Sequence, residues 1–123
     1  MTLDTNILIA FFEEDPVVVG ALSAWKMQGI SLFLSTIVEA EVLSFDKWTS
    51  GERNRIEQFL EQEFVSVPFD RPLSRIAARI RVKKSIKLPD AAIAATALYT
   101  NSPLVTRNIR DFRSVQNLQV LSL

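Results

Sequence analysis

The chain has 123 residues, 48% of them hydrophobic and 23% charged, with fourteen basic side chains balancing fourteen acidic ones. A single packed domain spanning 1–123 is expected, since a chain of that size buries roughly two-thirds of its unfolded surface. Cysteine and histidine are both absent, which excludes disulfides, thiolate nucleophiles, Cys- or His-based zinc sites and any mechanism that needs an imidazole.

What is left for chemistry is oxygen, from Asp, Glu, Ser, Thr and Asn, and oxygen-rich sites suit hard cations such as Mg2+ or Mn2+. No apolar run approaches the ~18 residues of a membrane span. The Met1-Thr2-Leu3-Asp4 start lacks the basic stretch and cleavage site of a signal peptide, so a cytoplasmic protein is expected. The sequence pI near 6.3 is not that of a strongly basic nucleic-acid binder. Charge is nonetheless gathered locally, at Arg75, Arg79, Arg81, Lys83, Lys84 and Lys87 and again at Arg107, Arg110 and Arg113. Charge alone reads each group as a solvated face.

In chain order, Leu3 ends a very short first strand and a helix begins just after Asp4. Asp15-Pro16 has the form of an N-cap and first helical residue, and the helix it starts runs to about Gln28, where Gly29 stops it. Ser31 to Leu34 is a buried strand and Ser35 caps the next helix, with Ile37, Val38, Val42 and Leu43 at core spacing. A further helix covers about Ser50 to Gln62, and Phe64 to Val67 is a third strand. From Arg71 to about Lys84, Leu73, Ile76, Ala77 and Ile80 form a helical stripe. Pro89 to Thr100 has almost no polar side and predicts a buried helix. Leu104 to Thr106 and Leu118 to Leu121 are the fourth and fifth strands. Strands separated by helices imply right-handed crossovers: an α/β fold, a three-layer α/β/α sandwich around a mainly parallel sheet of about five short strands.

Sites in such sheets form beyond the carboxyl ends of the strands. Asp4 directly follows the first strand, where it could equally be an N-cap. Glu41 lies amid apolar neighbours in the helix after strand two, and an inward carboxylate there needs a partner. Glu39 is about 200° away around that helix, so the two cannot face one cleft. Asp90 lies in the first turn of the apolar helix, where it could simply favour the dipole. Asn108 and Asp111 follow strand four in what reads as a polar turn. Crowded carboxylates repel unless a cation or protons compensate, so bound metal is the economical reading.

These residues carry a resemblance. Leu3-Asp4-Thr5-Asn6-Ile7-Leu8-Ile9 is similar to the opening motif of the PIN-domain family, and three further stretches follow in that family's order. They are Ser35 through Glu41, Pro89-Asp90-Ala91-Ala92-Ile93-Ala94-Ala95-Thr96-Ala97 and Leu104-Val105-Thr106-Arg107-Asn108. The chain most resembles the VapC-like toxins of type II toxin–antitoxin modules, over essentially its whole length. The resemblance implies a PIN fold and metal-dependent hydrolysis of RNA. It makes Asp4, Glu41, Asp90, Asn108 and Asp111 catalytic, with Asp4, Asp90, Asn108 and Asp111 as ligands of Mg2+ or Mn2+. Asn108 stands where an acid is common, with Asp111 three residues on. Thr5, Asn6, Ser35 and Thr106 would orient the acids, and Arg107 and Arg110 are candidate phosphate anchors, unless they pair with Asp111.

A homodimer and a small antitoxin partner are also implied, and the many aromatics (Phe11, Phe12, Trp25, Phe45, Trp48 and Phe59) either serve such contacts or fill the core. Asn108 leaves open a PIN-like module that binds RNA or a partner without cutting. A dehalogenase-like phosphatase would need a second Asp where Asn6 stands. A phosphoaspartate receiver would need a Lys after strand five, which is missing.

Overall fold

A computed structural model describes all residues, 1–123. Five strands and seven helices follow in the order β1 (Thr2–Leu3), α1 (Thr5–Phe12), α2 (Pro16–Met27), β2 (Phe33–Ser35), α3 (Thr36–Leu43), α4 (Ser50–Glu63), β3 (Val65–Val67), α5 (Arg71–Lys83), α6 (Leu88–Tyr99), β4 (Leu104–Val105), α7 (Ile109–Phe112) and β5 (Val120–Leu121). The strands form one sheet in the order β3-β2-β1-β4-β5, and every pairing is parallel. The three-layer expectation therefore holds, with a sheet that is wholly parallel.

The chain adds β2 and β3 to one side of β1 and then crosses over to lay β4 and β5 on the other. Strand order thus reverses between β1 and β4, which is where such sheets open a crevice at their carboxyl edge. The register pairs Leu3 with Val105, so the next residues out of the sheet, Asp4 and Thr106, emerge side by side.

The core explains why such short strands suffice. Leu3, Leu34, Leu104 and Val105 are buried from the sheet, against Ile7, Leu8, Val18, Val38, Val42, Ile93 and Ala94 from the helices. On α6, Ala91 through Ala97 are all buried. Small side chains there let α5 approach closely, with Ala77 against Ala91 and Ala95.

Local signals fix the helix ends. Asp15 accepts the amides of Val17 and Val18 ahead of Pro16. Gly29 takes φ 74° after α2, where its amide bonds the Lys26 carbonyl and that of Ile30 bonds Trp25. Thr49 and Glu52 form a reciprocal capping box on α4.

The sequence reading slips at several element ends, β5 for one being Val120–Leu121 rather than Leu118 to Leu121, and three differences bear on the site. β2 ends on Ser35 rather than before it, so that residue closes a strand and caps a helix at once. α6 starts at Leu88, one residue ahead of Pro89, which puts Asp90 at the third helical position, where no side chain caps the helix. The polar turn expected over Asn108 to Phe112 is the one-turn helix α7, pinned by Phe112, whose exposure is 1%.

Candidate active site

Asp4 is the most constrained acid. It is the N-cap of α1, with one carboxylate oxygen, Oδ1, accepting the Thr5 amide at 2.8 Å. The other, Oδ2, accepts the Thr106 hydroxyl at 2.7 Å across the β1/β4 crevice. Thr106 is itself fixed, because its Oγ1 accepts the Asn108 amide at 2.9 Å. Only 6% of Asp4 is exposed. Burial raises its pKa; the Thr106 and Thr5 bonds pull it down, and the carboxylates of Glu41 and Asp111 push it up again.

Asp90 answers to the same surroundings. Burial first, then the charges of Asp4, Asp111 and Glu41, raise its pKa, and Lys87 opposes them. The first turn of a helix ordinarily favours an ionised carboxylate, so a rise there reflects burial first and the neighbouring acids second. Asp4, Glu41, Asp90 and Asp111 therefore come from the cap of α1 and from α3, α6 and α7 into one field, at the edge where the topology opens the sheet.

Glu41 arrives differently from expectation. It is exposed, because Val38 and Val42 make the buried stripe of α3 and Glu41 flanks it. What holds it is the Thr5 hydroxyl, which donates to Oε1 at 2.6 Å. Thr5 thus links two acids: its amide serves Asp4 and its hydroxyl serves Glu41.

The other supporting residues divide. Thr5 and Thr106 touch carboxylates directly. Ser35 does not; its Oγ accepts the Ile37 amide, and its work is to cap α3. The Asn6 Oδ1 meets the Arg107 amide at 3.5 Å and bonds no acid. The Arg107 guanidinium is paired with Asp15 at 2.8 Å, which corrects the Asp111 pairing considered for it. Arg110 is exposed and in no ion pair. Asn108 and Asp111 lie exposed at the start of α7, and the Asn108 side chain does not cap it.

Two contributors were missed. Asp15 read only as a cap, and Lys87 only as one of a run of cations. The first acts through a contact 92 residues away in sequence, for which no local signal exists; the second could have been found from its place three residues before Asp90.

The arrangement offers oxygen donors alone. As they stand, no three of the acids close around a common point at ion-binding distance.

Strand-end acids at the switch point of a five-stranded parallel sheet are the frame of a PIN-type α/β domain. The family model for the PIN domain matches residues 1–118, and the chain belongs to that family. It is similar to Ribonuclease VapC1 of Rickettsia felis, at 29% identity over all of this chain and 96% of the relative. Among solved structures it resembles a chain of a toxin–antitoxin complex from Klebsiella pneumoniae, with a TM-score of 0.83, 28% identity and coverage of 99% and 98% of the two chains. The fold also matches a chain of VapBC2 from Rickettsia felis bound to a promoter DNA fragment, with a TM-score of 0.85, 24% identity and coverage of 99% and 97%.

Proposed function

We propose that the chain is a divalent-metal-dependent endoribonuclease, the toxin of a type II toxin–antitoxin module, working in the cytoplasm. The observation that carries this reading is the Asp4 carboxylate. It is buried and pinned at the crevice, in the field of three further acids and with its pKa raised. Likeness over the full chain to proteins named as ribonucleases supports the same class of reaction.

The donor set fits Mg2+ or Mn2+, being all oxygen and short of compensating charge. A loosely gathered set also suits Mg2+, which keeps several waters and takes one or two carboxylates. Asp4, Asp90, Asn108 and Asp111 would hold the ion. Bound there, it would lower the pKa of a water that attacks the phosphodiester and stabilise the departing oxygen. Thr106 and Thr5 keep the Asp4 carboxylate in one orientation. Glu41, exposed and held by the Thr5 hydroxyl, would accept a proton from a water at the crevice. The acids repel a phosphate until a cation offsets them, which makes RNA cutting conditional on the ion.

The toxin reading includes a small antitoxin and a homodimer. One apolar surface that such a partner would meet is an aromatic groove of about 500 Å³ whose lining includes Phe11, Phe12, Trp48 and Phe59. The rings stack or meet edge-on, Phe11 on Phe59 at 5.5 Å and Phe12 on Phe59 at 5.6 Å.

Cleavage of a labelled RNA by the purified chain tests this. Activity should require Mn2+ or Mg2+, stop on chelation, and fall at least about a hundredfold in Asp4→Asn and in Asp90→Asn. RNA bound but uncut at every metal concentration would favour instead the binding module that Asn108 leaves open.

A further inference from the structure

The basic run on α5 has no part in the site described above, yet it is the largest charge asymmetry in the molecule. Residues 71–87 hold seven of the fourteen cationic side chains and no acid, so the rest of the chain carries a net charge of minus seven. All seven are exposed. None is in an ion pair, since the two pairs in the protein are Lys26 with Glu63 and Arg107 with Asp15.

The row is also regular. Arg71, Arg75, Arg79 and Lys83 recur at intervals of four, about 6 Å apart along the helix axis. Like charges at that spacing weaken a helix, and nothing on α5 offsets them. The buried side of the helix is made by Leu73 and Ala77, so core packing accounts for the opposite face alone.

Its position matters as much as its charge. α5 leaves β3 at the carboxyl edge of the sheet, where the Phe69 amide bonds the Thr36 hydroxyl at 3.0 Å. It then runs beside α6 in the same direction: Ala77 packs on Ala91, and Lys83 and Lys84 line one cleft with Leu98. An extended strap over 84–87 doubles back, with the Ile86 carbonyl accepting Arg81 Nε at 3.1 Å, and delivers Lys87 to the start of α6. Lys87 there lies within Coulombic reach of Asp90. The ridge therefore begins at the acidic crevice and leads away from it.

The geometry points to this ridge, Arg71, Arg75, Arg79 and Lys83 with Lys87 at its head, as the track that holds the phosphate backbone of single-stranded RNA outside the cleavage site. The inference rests on the ribonuclease reading. A neutral protein with an acidic site gains no affinity for a polyanion from net charge; a segregated cationic row supplies it, independent of base sequence, by releasing counterions. It also draws the strand in from one side, so that a scissile phosphate reaches acids that alone would repel it.

The test measures binding of a fluorescent oligouridylate about a dozen nucleotides long to the Asp4→Asn chain, with and without Arg71→Gln, Arg75→Gln and Arg79→Gln together. The triple change should weaken binding roughly tenfold or more, and flatten the slope of log affinity against log salt by about two. In the otherwise unaltered chain it should raise the KM for long RNA while leaving cleavage of a trinucleotide unchanged. A melting temperature equal to or above that of the parent establishes that the fold is intact. Equal RNA affinity and salt slope, in a chain that still cleaves RNA, would overturn the track and spare the nuclease. The same result with weakened hold on an acidic partner polypeptide would reassign the ridge to protein binding. If the unaltered chain neither binds nor cuts RNA, the nuclease reading itself fails and the track with it.

Discussion

The two ends of the candidate site are built to different standards. At one end, Asp4 is buried at the switch point with both carboxylate oxygens bonded, one to a backbone amide and one to a buried threonine just past the neighbouring strand. At the other, Asn108 and Asp111 stand exposed on a helix of four residues, and the Asn108 side chain leaves the helix end uncapped. The difference teaches where preorganisation resides. The sheet fixes Asp4 with strand-level rigidity, and α7 presents its polar groups from a surface turn held by Phe112.

The widest gap between the ends should appear on cutting the tie at the rigid one. Thr106→Val keeps the shape of the side chain but removes the donor to Asp4 and the acceptor for the Asn108 amide. Leaving a buried partner unmatched costs about 1–3 kcal/mol. Groups that orient a metal ligand are typically worth about 10–100-fold in affinity or activity. Thermal melts together with metal-dependent cleavage should show both losses in Thr106→Val. Unchanged activity would mean that the hydroxyl does no more than fill space.

A smaller effect, opposite in sign, is expected from neutralising Asp4. Burial raises its pKa, so the folded chain binds that proton more tightly than the unfolded one. The ionised form is then the one that folding penalises. The penalty is absent below the unfolded carboxylate pKa and grows as pH rises through the raised folded value. Asn keeps the capping role, since it accepts the Thr5 amide as Asp does. In the absence of metal, Asp4→Asn should therefore melt a few degrees above the parent at neutral pH and together with it in acid. A variant that melts lower at neutral pH would show that hydrogen bonding to Thr106 outweighs desolvation.

How much of this the sequence disclosed follows from the range of the forces involved. Asp15-Pro16, Gly29 and the alanine-rich α6 act within a turn or two, and they were legible. Asp4 and Asp90 were legible because a strand end and a helix start are marked locally, and because an acid in either place has a definite cost. Glu41 was read as inward-facing because its neighbours are apolar, whereas one residue of helical rotation leaves it on the flank and exposed. The pairing of Arg107 with Asp15 could not be read, because it joins residues brought together only by the crossing of the chain from β3 to β4. α7 escaped because four residues show no period, and a single Phe does not announce a helix.

The smallest expected effect tests the loose end of the site. Asn108→Asp would add a fifth carboxylate to Asp4, Glu41, Asp90 and Asp111. Its backbone amide is already engaged by Thr106, so the change alters charge without disturbing the tie to Asp4. If the side chain at 108 faces the ion, the metal concentration for half-maximal cleavage should fall a few-fold, since carboxylates bind hard cations better than an amide oxygen does. The metal-free protein should then be slightly less stable, because the new charge deepens a repulsion already felt at Asp4 and Asp90. The two shifts have one cause and must appear together. A lower melting temperature with no gain in metal affinity would place the 108 side chain in the field of the acids but outside the ion's coordination. Asp4 and Asp90 would then bind the ion with Asp111 alone to assist them from α7.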